Sequence, residues 1–126
     1  MATGAPPPRP GRVWRVRGRA AFASLVAEGR RVRSGPVTVT YLATPASGPP
    51  QVAFAIGRSV GPAVVRNRVR RRLRAITREL AVDPAALPPG RYLIGVRPDA
   101  ATLDYVGLRA NVERAVRAIA GEAPSP

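Results

Sequence analysis

The chain contains no cysteine and no histidine, and because all 21 of its basic residues are arginine it contains no lysine either. Without cysteine there are no disulfides and no thiolate metal site, so an oxidising compartment gains no support. Without histidine the usual proton carrier near neutral pH is missing. The absence of lysine removes the remaining nitrogen base that enzymes commonly tune for acid–base work. Carboxylates are scarce as well, seven in all, which leaves a formal net charge of +14. No apolar run approaches the ~20 residues needed to cross a bilayer. The opening stretch MATGAPPPRPGR lacks the apolar centre of a secretion signal. A cytoplasmic protein with no membrane partner and no small-molecule substrate is expected.

What remains is compact and strongly cationic. A length of 126 residues with 45% hydrophobic content fits one domain with a modest core. The charge is segregated: residues 1–78 hold sixteen arginines and only Glu28, whereas residues 79–126 hold five arginines and six acids. Such an imbalance indicates a nucleic-acid partner for the first two thirds of the chain. Residues 1–12 are Pro, Gly and Ala with scattered arginine, a composition too poor in apolar surface to offset ordering entropy, and read as a flexible basic tail. Residues 122–126 read as a second unstructured tail, leaving a single domain over 13–121.

Within it, Phe22, Leu25 and Val26 share one face of a short helix over 19–28, ended by Gly29. Residues 36–44 alternate Val37, Val39 and Tyr41 with Thr38 and Thr40, a strand with one drier face. A second strand over 51–59 sets Val52, Phe54 and Ile56 against small residues, and the short loop between the two predicts antiparallel neighbours. Pro62 suits the first turn of a helix ending near Leu80. RYLIGVR, 91–97, is a third strand; Asp99 is the expected cap of a last helix striped by Tyr105, Leu108, Val112, Ala115, Val116 and Ile119. An edge strand around 31–34 completes an α+β sandwich, a small sheet with helices mainly on one side.

The helix over 62–80 carries the functional signal. VVRNRVRRRLRAITREL packs seven arginines into the seventeen residues 64–80. At about 100° per residue, Val65, Val69, Leu73, Ile76 and Leu80 fall within about 80° of one another, a buried stripe. Asn67, Arg70, Arg71, Arg74 and Arg78 fall opposite it, and Arg66, Arg68 and Arg72 flank it. A merely solvated face intersperses acids with its cations, yet Glu79 is the only acid here. Arg66 with Arg70, Arg68 with Arg72, Arg70 with Arg74 and Arg74 with Arg78 are like-charge pairs at i,i+4, each unfavourable by a few tenths of a kcal/mol without an anionic partner.

The run RSVGPAVVRNRVRRRLRAITREL resembles the signature of the bacterial ribonuclease P protein family: a basic residue, then Gly-x-Ala-Val-x-Arg-Asn-Arg followed by spaced cations. Arg58, Gly61, Ala63, Val64, Arg66, Asn67, Arg68, Arg71 and Arg74 match; Arg70 stands where lysine is usual, Ser59 replaces a frequent basic residue and Pro62 a frequent asparagine. The order of elements fits from about Val13 to Gly121. The resemblance implies an α+β fold with a left-handed βαβ crossover, akin to a domain of ribosomal and translational GTPase proteins. It implies a subunit that joins a large catalytic RNA, the holoenzyme hydrolysing the phosphodiester that yields the mature 5′ end of transfer RNA. Magnesium would be held chiefly by RNA and substrate, with none bound tightly by the protein. Arg58, Arg66, Asn67, Arg68, Arg70, Arg71 and Arg74 would contact the catalytic RNA. A cleft between the first helix and the sheet would take the single-stranded 5′ leader of precursor tRNA, lined by Phe22, Val26, Thr38 and Thr40; Val26 stands where an aromatic is frequent.

The residues themselves agree with a binding role. A protein-only nuclease needs converging carboxylates for magnesium or a histidine or lysine as acid and base. The acids Asp83, Asp99, Asp104 and Glu113 are late and scattered, so no protein catalytic residue and no protein metal ligand is expected. Phe22 reads equally as core or as a stacking platform, and Trp14 as stacking on RNA or docking on the sheet. A structural ribosomal-RNA-binding protein would share the general composition, and only the Arg-Asn-Arg signature in its flanking context separates the two. A DNA regulator fits less well, because arginine on every exposed turn favours phosphates over base edges.

Overall fold

The computed structural model describes residues 13–44 and 48–120. The expected tails at 1–12 and 122–126 lie outside the described residues. The elements are β1 (Trp14–Arg15), α1 (Arg19–Glu28), β2 (Arg30–Ser34), β3 (Val37–Leu42), β4 (Gln51–Ile56), a 3-10 turn (Arg58–Val60), α2 (Ala63–Leu80), β5 (Arg91–Val96), a second 3-10 turn (Pro98–Thr102) and α3 (Tyr105–Ala120). They form one five-stranded sheet in the order β1-β4-β5-β3-β2. The short helix, the edge strand and the arginine helix all stand where the sequence predicts them.

One expected pairing does not form. β3 and β4 are not neighbours, because β5 lies between them, antiparallel to β3 and parallel to β4. The reason is the crossover: α2 connects β4 to β5 as a helical link between parallel strands, and brings β5 back against the edge of β4 that β3 would otherwise have taken. RYLIGV buries Tyr92 and Ile94 completely and has ladder partners on each side, which suits a central strand. The tight hairpin instead joins β2 to β3, with Ser34 opposite Val37 across the two-residue turn Gly35–Pro36. Gly35 sits at φ 56°, a conformation that glycine adopts without steric strain. β1, unforeseen in the sequence, adds in parallel to β4, with Trp14 opposite Gln51.

Alternation sorts the sheet into two faces. Val37 and Val39 of β3, Val52 and Ile56 of β4 and Ile94 of β5 face a core completed by Val69, Leu73, Ile76 and Leu80 of α2 and Leu108, Val112, Val116 and Ile119 of α3. Thus the predicted stripes of both long helices are buried, with Val65 and Tyr105 at the margin. α1 covers part of the opposite face, where only Leu25 of that helix is fully buried. Gly29 ends α1 against β3: an added Cβ would meet the Leu25 carbonyl at 2.5 Å and the Thr40 methyl at 2.7 Å. The cap of α3 is Asp104 and not Asp99, which lies in the preceding 3-10 turn. Asp104 Oδ1 accepts from the Gly107 N–H at 2.7 Å, the geometry of a side-chain N-cap.

The Pro-rich loop 81–90 is held down by two tyrosines. Tyr41 donates its hydroxyl to the Pro89 carbonyl and Tyr92 to the Pro88 carbonyl, and their rings lie 4.8 Å apart. Burial, reinforced by neighbouring Tyr41, pushes the Tyr92 hydroxyl far above its ordinary value. The folded state therefore keeps a proton that the unfolded chain releases. Stability should be level below about pH 10 and be lost as pH rises toward the elevated folded value. Urea unfolding at pH 9 and pH 11 checks this. Tyr92→Phe should lower stability by about 0.5–1.5 kcal/mol at pH 9 through loss of the Pro88 bond, and should show a smaller further drop at pH 11 than the parent chain.

Leu73 of α2 lies fully buried at the middle of the stripe. Leu73→Ala should cost about 2–5 kcal/mol in the same measurement at neutral pH.

Candidate nucleic-acid interface

The structure divides the side chains of α2 into three groups. Val69, Leu73, Ile76 and Leu80 anchor the helix on the sheet. One flank turns to α3: Arg72 donates to the Leu103 carbonyl at 3.0 Å, while Glu79 pairs with Arg109 and accepts from the Tyr105 hydroxyl at 2.8 Å. The other flank, bearing Arg70, Arg74 and Arg78, overhangs the edge formed by β1 and β4. Asn67, Arg68 and Arg71 lie between these flanks, facing solvent.

The one acid of α2 is therefore spent on α3 and neutralises none of the outward cations. Among the described residues, Asn67, Arg68, Arg70, Arg71, Arg74 and Arg78 make no side-chain hydrogen bond or ion pair. Arg66 differs: its Nε donates to the Gly61 carbonyl at 3.1 Å, tying it to the entry of its own helix. Arg58 is exposed in the 3-10 turn just before that entry. The sequence-predicted residues are thus gathered on and before one helix, with Arg66 alone also bracing the fold. Repulsion among closely spaced like charges is relieved by phosphate, and the counterions displaced from the nucleic acid add to that gain.

On the opposite face of the sheet, α1 leaves part of the strands uncovered. Phe22 and Val26 are 42% and 48% exposed, neither of them core, and lie about 60° and 100° round the helix from buried Leu25. Thr38 is half-buried on the sheet face that α1 partly covers. Thr40 is closed off, 3% exposed beneath the Gly29 end of α1, so of the four residues predicted to line a cleft it is the one inaccessible to a ligand. Sequence reasoning missed the floor. Thr38, Gly95 and Ala55 form one row across β3, β5 and β4, all small. The alternation of small residues in QVAFAI was the available signal; only the strand order puts it beside Gly95.

The carboxylates do not converge. Asp83 accepts from the Ala85 N–H, Asp104 caps α3, Glu79 holds Arg109 and Tyr105, and Glu113 pairs with Arg117. Among the described residues no group of three or more potential metal ligands lies together. No helix among the described residues is long and apolar enough to cross a membrane.

Comparison with known proteins gives the family. A family model described as Ribonuclease P matches residues 11–120. The chain is 39% identical over 113 residues to the Ribonuclease P protein component of Thermobifida fusca, spanning 83% of this chain and 75% of that one. It is 41% identical over 104 residues to the protein of the same name from Acidothermus cellulolyticus, spanning 80% and 83%. In fold it is similar to the RNase P protein of Staphylococcus aureus (TM-score 0.72, 16% identity, 83% of this chain and 94% of that one). The RNase P protein of Thermotoga maritima is comparably similar (TM-score 0.71, 20% identity, 83% and 96%). With nearly its whole described length matched, and with relatives well above 30% identity, the chain belongs to the ribonuclease P protein family.

Proposed function

We propose that this chain is the protein subunit of a ribonuclease P ribonucleoprotein, which binds a catalytic RNA through the outer face of α2 and promotes endonucleolytic removal of the 5′ leader from precursor tRNA. The observation that carries the reading is the cationic face of α2: a cluster of arginines around Asn67, none neutralised by a carboxylate, on a helix anchored by its opposite side. In this reading the phosphodiester is hydrolysed at a centre built of RNA, with magnesium held there by RNA and substrate. The protein's own part is to screen phosphate charge and to position the substrate. The accessible ring of Phe22 and the small-residue row of Thr38, Gly95 and Ala55 suit an unpaired strand, which lies flat on a shallow floor and stacks on an aromatic edge.

Reconstitution tests the whole. The purified protein alone should leave precursor tRNA intact, and together with a bacterial ribonuclease P RNA at low magnesium it should yield the mature 5′ end. Failure with both components folded would sink the assignment.

The two surfaces are separable. Changing Arg68, Arg71 and Arg74 together to alanine should leave the circular dichroism unchanged, weaken assembly with the RNA, and flatten the dependence of log affinity on log salt by roughly 2–3, at about 0.7–0.9 per phosphate contact. Gly95→Val places a side chain on the cleft floor, where its Cβ meets nothing nearer than 3.8 Å; circular dichroism of the variant checks that the fold is kept. The holoenzyme should then lose its preference for precursor tRNA with a leader over mature tRNA, while assembly with the catalytic RNA is unchanged.

A further inference from the structure

β2 is an edge strand, paired on one side only, and three of its five residues are arginine. Alternation fixes the side to which each of its side chains goes. Val32 packs against the core, and Ser34 faces α3, where its hydroxyl donates to Asn111 Oδ1 at 3.0 Å and accepts from Arg114 Nη1 at 3.1 Å. Arg31 and Arg33 therefore project from the other face, the one that α1 only partly covers. Register carries the placement further. Arg33 stands opposite Thr38, Thr38 opposite Gly95 and Gly95 beside Ala55, so the row of small residues that crosses β4, β5 and β3 ends at Arg33. Arg31 stands opposite Thr40, which the Gly29 end of α1 closes off.

We propose that Arg33, flanked by Arg31, is a phosphate site for the single-stranded 5′ leader, which crosses the sheet along the small-residue row and is gripped by its backbone at the β2 edge. The inference rests on the function proposed above and adds to it two residues that lie far from the arginines of α2. Both are exposed, and among the described residues Arg31 makes no side-chain hydrogen bond or ion pair. Arg33 uses only its Nε, which donates to the Gly35 carbonyl at 3.1 Å. That bond steadies the guanidinium on the hairpin and leaves both Nη groups for an oxyanion, a fork that suits phosphate. Glu28, the acid nearest in sequence, pairs with neither arginine. Cations on an edge strand also discourage pairing with other chains, and that role asks nothing of the row beside them. The row itself favours a ligand. Ala55, Gly95 and Thr38 carry no charge, so a strand lying on them meets no partner for its phosphates until it reaches β2. Three strand spacings make the row about 14 Å long, room for at most about four nucleotides at ~3.4 Å each. The choice of the leader over the catalytic RNA follows from position, since Arg68, Arg71 and Arg74 belong to α2, on the other side of the sheet.

The experiment reconstitutes the holoenzyme from the full chain and a ribonuclease P RNA. It measures affinity across a salt series for mature tRNA and for precursor tRNA with a leader longer than the row, alongside gel-shift assembly with the RNA. Arg33→Ala should weaken precursor binding roughly threefold to fivefold, as for one exposed charge pair, and lower its salt slope by about 0.7, one single-strand phosphate contact. Adding Arg31→Ala should lower the slope further. Affinity for mature tRNA and assembly with the RNA should stay at the parent values throughout. Arg33→Lys keeps the charge but not the forked Nε–Gly35 geometry, and should keep the slope. Parent-like precursor binding by the double variant would overturn the proposal, leaving the two arginines as guards of a sheet edge. A loss that appears in assembly, or equally for mature tRNA, would overturn it as well, by giving the β2 edge to another part of the complex. In both cases the family function stands. A parent chain that neither assembles with the RNA nor matures precursor tRNA would bring down the function and the phosphate site together. If Arg33→Ala proves unfolded by circular dichroism, Arg31→Ala alone, whose side chain bonds nothing in the fold among the described residues, decides the matter through the same slope.

Discussion

Everything in this structure depends on how α2 is anchored. A helix with cations at Arg66, Arg68, Arg70, Arg71, Arg72, Arg74 and Arg78 repels itself, and little but burial of the opposite stripe opposes that repulsion. Val69, Leu73, Ile76 and Leu80 supply the burial, each worth roughly 1.5–3 kcal/mol of transfer free energy, against a few tenths for each like-charge pair. The hydrophobic term wins by a wide margin. Because the stripe admits only one rotational setting, it also aims the arginines: Arg72 and Glu79 toward α3, Arg70, Arg74 and Arg78 over the β1–β4 edge, Asn67, Arg68 and Arg71 outward.

The sheet then separates two kinds of surface. Its α2 side is roofed by two helices and carries arginines at its margin; its α1 side is roofed only in part. The partial cover is set by one close approach, Gly29 on the Thr40 methyl, which seats the end of α1 on β3 and leaves the next row bare. Small side chains on that row keep it shallow. A charged helix and a plain floor thus sit on opposite faces of one sheet, and rigid placement of each relative to the other comes from strands that share a hydrogen-bonded ladder.

Much of this was legible in the sequence, for identifiable reasons. α1 begins and ends at the predicted residues because Gly29 and the apolar spacing of Phe22, Leu25 and Val26 are local signals. The α2 stripe was legible because period and burial coincide over five turns, and the motif around Asn67 carried the family. Strand order was not legible. The interval 43–50 looks like a hairpin connection from either end, and the helical crossover that sets β5 beside β4 is a tertiary arrangement that local spacing does not encode. β1 is two residues long and has no periodicity to read. Thr40 shares its strand face with Thr38, so alternation put both in the cleft, and the closure of one of them is a tertiary contact. Asp104 outcompeted Asp99 as a cap because the intervening residues turn as a 3-10 segment first.

The central place of β5 has a consequence for the order of events during synthesis. Every long strand of the sheet is stitched through residues 91–96, and until they leave the ribosome β3 and β4 have no ladder joining them. At ~5–20 residues per second, the arginine helix emerges seconds before the strand that lets its dry stripe close on a finished sheet. Contacts this distant in sequence are also slow to form, since a long loop must close before they are rewarded. For that interval the nascent chain presents sixteen arginines against only Glu28, Glu79 and Asp83, and no completed core. How long those cations stand without a core behind them is a matter of chain topology as much as of charge.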